Sequence, residues 1–511
     1  MKKLVLFVMM ASCLAFYGCK EKQPQPEPEP VYETVSFKAF GFIASQNQGV
    51  FLSDDVIDSP NPGKLEFVLP FGIADDALKS LVPYFELNLD IDKAPEAKVL
   101  VNGAAYNAGS PVDFSSVVDF TITNGDKNTL YSVAVSIKNA PVWSLVATSE
   151  STFYSSPFMA INPADGLPYV AGILNSDASA DRYPIAFKVN GDKFTGLTSN
   201  GVIVNNRSDN VVLGFDPEGK VYAHFQDYVN GSSTALLRSS VVSFDNGNAN
   251  FLGNAAEIPA VGSNAAIFPV ANNNVWLAFQ VKNSTDGLTK RLLSLSNWNG
   301  ANWTNKLSIN GRPASNYGYY TCSASRDGYN YLLVYNQNVQ TFSLYSLVDN
   351  NWETIAEDLI VNKADGSTPD PHPINLRSFD LAIDSAGNPY IMAIYQYSSD
   401  TYNPGVIKYD IKEKTQSLVG GAYNVDGEDL RYFSIAFTPS DALFMVYQNA
   451  DKKPAVVYID SKTKTWSAPT VLEGCNLNGI YAPTIRFNKD GKGFIAAKDK
   501  DSDKCVIYAT D

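Results

Sequence analysis

Histidine is almost missing from this chain. Only His224 and His372 occur among 511 residues, so a histidine-held metal centre or a Ser-His-Asp triad lacks its central component. Cysteine is nearly as scarce, with Cys13, Cys19, Cys322, Cys475 and Cys505 the only five. A disulfide framework is therefore excluded, and stability must come from buried apolar surface. Charged residues make up just 18%, and the formal net charge of −14 has the wrong sign for a nucleic-acid partner. Helical periodicity is hard to find anywhere in residues 141–511. Gly300, Gly311 and Gly318 are followed by no helical pattern and make no phosphate-binding fingerprint. Asp499-Lys-Asp501-Ser-Asp503 opens like a calcium loop but has neither the glycine at its sixth position nor the glutamate at its twelfth. No cofactor and no metal are expected.

What the chain does have is a repeat. Asp384-Ser-Ala-Gly387-Asn-Pro-Tyr390 is a tight turn leading into an apolar strand, and the same turn-to-aromatic step occurs at Gly166/Tyr169, Gly219/Tyr222, Asn273/Trp276, Gly328/Tyr331, Asp441/Phe444 and Gly491/Phe494. Successive aromatics lie 53, 54, 55, 59, 54 and 50 residues apart. Seven copies with room for four short strands each predict an all-β ring of seven sheets, a seven-bladed β-propeller, over residues 141–511. The last repeat stops after its third strand, at Val506-Ile-Tyr508, whereas Val142-Trp143-Ser-Leu-Val-Ala-Thr148 precedes the first and matches the Trp-led fourth strand at Trp466-Ser-Ala-Pro-Thr-Val-Leu472. The first strand should therefore complete the last blade and remove the free edges.

Ahead of the ring, residues 33–140 show alternating strands, such as Lys64-Leu-Glu-Phe67-Val, and a hairpin of Val118–Ile122 with Tyr131–Val135 around Asn124-Gly125-Asp126. About a hundred such residues predict a β-sandwich. At the very start, Lys2 and Lys3 precede an apolar run from Leu4 to Tyr17, which reads as a signal peptide over residues 1–18. The Gln-Pro and Glu-Pro steps of residues 19–32 suit a semi-rigid linker. Of the remaining thiols, Cys475 and Cys505 are open to two readings, a pair or buried free thiols.

Two resemblances add to this. Phe16-Tyr17-Gly18-Cys19 resembles the lipobox of bacterial lipoproteins, with Phe16 where leucine is usual; it implies that Cys19 is lipidated and anchors the protein to a membrane. Val68-Leu-Pro70-Phe-Gly72, the Asp75 to Pro83 stretch, Val112-Asp-Phe114-Ser115 and Tyr131-Ser-Val133-Ala-Val135 resemble an immunoglobulin-like domain near the N-terminus of surface lipoproteins in glycan-foraging Gram-negative anaerobes. That likeness implies an outer-membrane or cell-surface location and an Ig-like sandwich acting as a spacer.

In a four-stranded blade, the turns from first to second and third to fourth strand share one face, and the other connections share the opposite face. The first set is tight, as at Ala164-Asp-Gly166. The second is long, as at Asn175 to Arg182, Val361 to Arg377 and Gly420 to Arg431. Binding concentrates in long loops held by rigid strands. Arg182, Arg312, Arg377 and Arg431 with Tyr319 and Tyr423 are the candidate ligand residues, because guanidinium groups and aromatic rings suit a polyhydroxylated ligand. No catalytic residue is assigned; Asp370, Glu428 and Asp429 are the loop carboxylates from which an acid–base pair would come. Ser243-Phe-Asp245-Asn-Gly247 resembles the sialidase Asp box, but continues into Ala249, Asn250 and Phe251 and implies a turn, not an activity. The expected function is a surface lipoprotein whose ring binds an extracellular glycan. A propeller glycoside hydrolase or lyase and a scaffold for a protein partner are the alternatives.

Overall fold

The computed structural model describes residues 32–89, 94, 96–178, 181–228, 237–253, 265–271, 273–280, 293–306, 319–336, 341–361, 379–398, 401–421, 423, 432–478 and 482–511. All structural statements concern these. The N-terminal part forms two sheets. One places Ser36–Phe42 between Asp55–Asp58 and Pro83–Asn88; in the other, Gly63–Leu69 runs parallel to Lys127–Ile137, which forms the expected hairpin with Val118–Asn124. Apolar residues of both sheets, among them Phe37, Phe40, Phe42, Phe67, Phe120 and Tyr131, fill one core, with a bulge between Phe37 and Ala39 shifting the alternation in the first strand. Strand periodicity is the reason: with side chains alternating between faces, one apolar face per sheet is enough to bury a shared interior.

The rest is seven four-stranded antiparallel sheets. Their first strands are Phe158–Ile161, Ser208–Phe215, Ala266–Val270, Tyr319–Arg326, Phe379–Ile383, Phe433–Phe437 and Thr484–Phe487. Each first strand touches the next, and the seventh touches the first, which closes a ring around a central channel. This is the arrangement of a β-propeller. The seventh sheet is completed by Trp143–Thr152 on Lys504–Thr510, as the matching Trp-led segments require. In blade six the fourth strand is shorter than the sequence suggests, only Thr470–Val471 plus an isolated bridge from Ile459 to Trp466.

Seven apolar clusters fill the seven gaps between neighbouring sheets. Second strands such as Leu443–Gln448 and Gly493–Lys498 are buried along their whole length, which explains their unbroken apolar sequence: both faces of a blade are covered. First strands alternate. In blade five, Phe379, Leu381 and Ile383 face blade four, while Ala382 packs against blade six. Asp380 shares the Ala382 side, beside the channel.

Candidate ligand-binding site

The two faces of the ring are built differently. On the short-turn face, the residue that opens each of several turns accepts from the backbone N–H groups that follow it: Asp216 from Glu218 and Lys220, Asp384 from Asn388, Thr438 from Ala442 and Asn488 from Asp490 and Lys492. A side-chain oxygen at this position stands in for a backbone acceptor, which is why Asp, Asn and Thr recur there. The turns are also tied to one another. Asn488 Nδ2 donates to Gly166 O at 3.2 Å, Asn162 Nδ2 to Gly219 O at 2.8 Å and Tyr331 Oη to Gly387 O at 2.9 Å.

This face also carries the N-terminal part. Phe71 packs edge-on to Tyr458 at 4.9 Å and against Phe444 at 5.7 Å, its carbonyl accepts from Ser440 Oγ at 2.7 Å, and Lys462 pairs with Asp75 at 2.7 Å. Gly72 is required at the contact. Its φ is +94°, and a Cβ there would lie 2.5 Å from that of Ala442.

The opposite face holds the long connections. Across blades one and two, the Arg182 guanidinium lies 3.7 Å over the Tyr154 ring, and that of Arg207 lies 4.4 Å over Tyr228. The Tyr228 hydroxyl donates to Asp209; burial, with Asp209 beside it, pushes the phenol up to about 12. Beneath Tyr154, the buried Lys498 ammonium pairs with Asp503 at 2.7 Å and donates to Tyr154 O at 3.4 Å. Asn175 Nδ2 donates to the other Asp503 oxygen at 3.0 Å. Asp499 accepts from Asn476 and Ser502, so this acidic stretch is a self-bonded loop. Among the described residues, no cluster of His, Cys, Asp and Glu is arranged to hold a metal. In blade five, Pro389–Ser398 and Thr401–Asp410 form a hairpin that runs four residues beyond the second strand of blade one, about 13 Å of added height.

Between these faces, the channel has a polar lining that sequence reasoning missed. Asp380 Oδ2 accepts from Ser434 Oγ at 2.9 Å and from Ile435 N at 3.0 Å, and its Oδ1 accepts from Leu381 N. Each first strand is the inner edge of its sheet, so its N–H groups need partners from outside that sheet; Asp380 supplies one. Arg486 Nη1 donates to Ser434 Oγ at 3.0 Å and to Ile485 O at 2.7 Å, with Asp380 Oδ2 at 3.9 Å. Cys322 joins them from blade four: burial raises its thiol pKa, Asp380 raises it further, and Arg486 opposes. A charge within an otherwise apolar strand, as in Phe379-Asp-Leu-Ala-Ile and Thr484-Ile-Arg-Phe, was the signal available in the sequence.

Of the residues expected at the site, Arg182 lies on the long-connection face as described. Tyr423 is half-buried, its hydroxyl 2.7 Å from that of Tyr447 and its ring against Tyr447 and Trp466; it is held inside the blade. Tyr319 begins the first strand of blade four. Arg312, Arg377, Arg431, Asp370, Glu428, Asp429, His372 and Cys19 lie outside the described residues. His224 is wholly buried, 2.6 Å from Ser239 Oγ. Cys475 and Cys505 are buried free thiols; burial pushes Cys475 up to about 12 and Cys505 upward as well. Asp245-Asn-Gly247 forms a tight turn, with Asn246 and Gly247 both at positive φ.

No family model matches this chain, and no curated relative does. Similar solved structures include a polysaccharide lyase, at 11% identity over 71% of this chain and 90% of that one with a TM-score of 0.43. An α-L-arabinanase of Penicillium chrysogenum complexed with arabinobiose shows 11% identity over 60% and 93%, TM-score 0.36. The fucose-specific lectin of Aleuria aurantia shows 11% identity over 55% and 85%, TM-score 0.35. At these distances the likeness bears on neither ligand nor chemistry.

Proposed function

We propose that this protein is a lipoprotein, anchored through Cys19 at the outer membrane or cell surface, whose ring binds an extracellular glycan at the channel mouth on the long-connection face. The observation that carries the reading is the difference between the two faces. One is tied together by its own turns and carries the N-terminal part through Phe71 and Lys462. The other carries stacked Arg182–Tyr154 and Arg207–Tyr228 pairs in the connections of blades one and two, on a ring whose channel holds the Asp380–Arg486 pair. Rings and guanidinium groups on a rigid frame suit a ligand with apolar sugar faces and many hydroxyls. In this reading the N-terminal part is an Ig-like spacer, and Arg312, Arg377, Arg431 and Tyr319 serve the same mouth, whereas Tyr423 packs within its blade.

A glycan array followed by titration calorimetry tests this. Replacing Arg377 and Arg431 by alanine should weaken binding, and Lys220→Ala on the short-turn face should leave it intact. Equal losses from both faces would refute the assignment, and release of reducing ends during the titration would make the ring a hydrolase or lyase.

A further inference from the structure

Among the described residues, two arginines enter the channel from first strands, and their donors are used differently. Arg326, from blade four, commits all three of its nitrogens. Its Nε reaches Asp327 at 3.3 Å, its Nη1 reaches Ile383 O and Asp441 Oδ1, both at 2.9 Å, and its Nη2 reaches Pro439 O at 3.0 Å. It bonds both blade five and blade six, so it fastens the short-turn end of the channel. Arg486, from blade seven, commits only Nη1. Among the described residues nothing bonds its Nε or Nη2, and the side chain keeps 28% of its surface exposed. Asp380 pairs with it only through Nη1, at 3.9 Å, and its oxygens also accept from Leu381 N, Ile435 N and Ser434 Oγ, so the carboxylate leaves the Nε–Nη2 edge uncovered.

The Nε–Nη2 edge of a guanidinium carries two parallel N–H groups spaced to match the two oxygens of a carboxylate or the oxygens of a sulfate. A polar, partly enclosed setting strengthens such a pair over its value in open water. We infer that Arg486 is an anion-binding residue in the channel, and that it receives an acidic substituent, a uronate carboxylate or a sulfate ester, of the ligand bound at the mouth. Ser434 and Ile485 O fix the orientation of the guanidinium by holding Nη1, so the free edge is presented without reorganisation. The proposal rests on the glycan-binding reading for the identity of the ligand, whereas the anion site stands on Arg486 alone.

The two parts are separated by two measurements on the full chain. In the first, phenylglyoxal modification of each arginine is followed by peptide mass spectrometry. Arg486 should react at least about tenfold faster than Arg326, and glucuronate or sulfate, but not glucose, should slow it; tenfold corresponds to about 1.4 kcal/mol. Arg486 as unreactive as Arg326, or equal rates with and without glucuronate, would overturn the anion site. In the second, acidic polysaccharides are compared with their carboxyl-reduced or desulfated forms by calorimetry. The native protein should prefer the acidic form by about tenfold or more, and Arg486→Gln should abolish the preference. Binding that ignores both the acidic group and Arg486→Gln would overturn this inference while leaving the glycan reading intact. Glucuronate protection of Arg486 without any polysaccharide binding would instead overturn the glycan reading and the substituent assignment, leaving only the anion site.

Discussion

His224 shows how a single buried group couples this fold to pH. It sits in the second strand of blade two, its Nε2 2.6 Å from Ser239 Oγ and its Nδ1 without a partner. Burial pushes its pKa down to about 3 from an ordinary 6.5. The fold therefore refuses a proton that the unfolded chain accepts. This group's contribution to stability is complete above about pH 6.5 and is lost as pH falls toward 3, at up to about 1.4 kcal/mol per pH unit. Denaturant titrations at pH 7 and pH 5 should show a smaller acid loss for His224→Gln than for the native chain. Equal losses would mean that His224 is not the group responsible. The same residue type was the scarcest in the sequence, and its setting inside a strand was legible there; the missing Nδ1 partner was not, because it depends on neighbours in two other strands.

At the scale of the element, the turn that opens each second strand is what the chain repeats. The glycine and aromatic of that turn were visible, and so were seven copies and the Trp143 strand that closes the ring. Less visible was the polar residue that opens the turn, which in blades seven and one also ties that turn to the next. Asn488 accepts from two N–H groups in its own turn and donates to Gly166 O, so it joins blade seven to blade one. Asn488→Ala should cost about 2 kcal/mol, because it strands buried partners. Asp410→Ala removes a similar pair of bonds, to Lys412 and Glu413, in an exposed turn and should cost less than about 1 kcal/mol. Chemical denaturation of the two variants checks this, and equal costs would contradict a bond that closes the ring. The charges of Asp380 and Arg486 stood out singly in apolar strands, but that they meet was illegible for a physical reason: Cys322, Asp380, Ser434 and Arg486 come from four repeats and meet only after the ring forms. The extended hairpin of blade five was missed because Tyr397-Ser-Ser-Asp-Thr-Tyr402 carries no glycine or proline to mark a reversal.

For the whole molecule, the contact at Phe71 and Gly72 fixes where the N-terminal part sits, on the face away from the long connections. Gly72→Ala would place a methyl group against Ala442 at a backbone angle that alanine resists. The Phe71 ring would then leave Phe444 and Tyr458. Small-angle scattering should show a longer maximum dimension for Gly72→Ala, while ligand affinity at the far face stays unchanged. Loss of affinity in that variant would place part of the binding surface at the contact.

Hydroxyl-radical footprinting of the full chain, with and without saturating glycan, locates the binding face most directly. Tyr154, partly exposed on the long-connection face, and Tyr329, partly exposed on the short-turn face, report on the two sides in one experiment. Binding at the channel mouth predicts protection of Tyr154, together with Tyr228, and an unchanged rate at Tyr329. Protection of Tyr329 with Tyr154 unaffected would contradict the account.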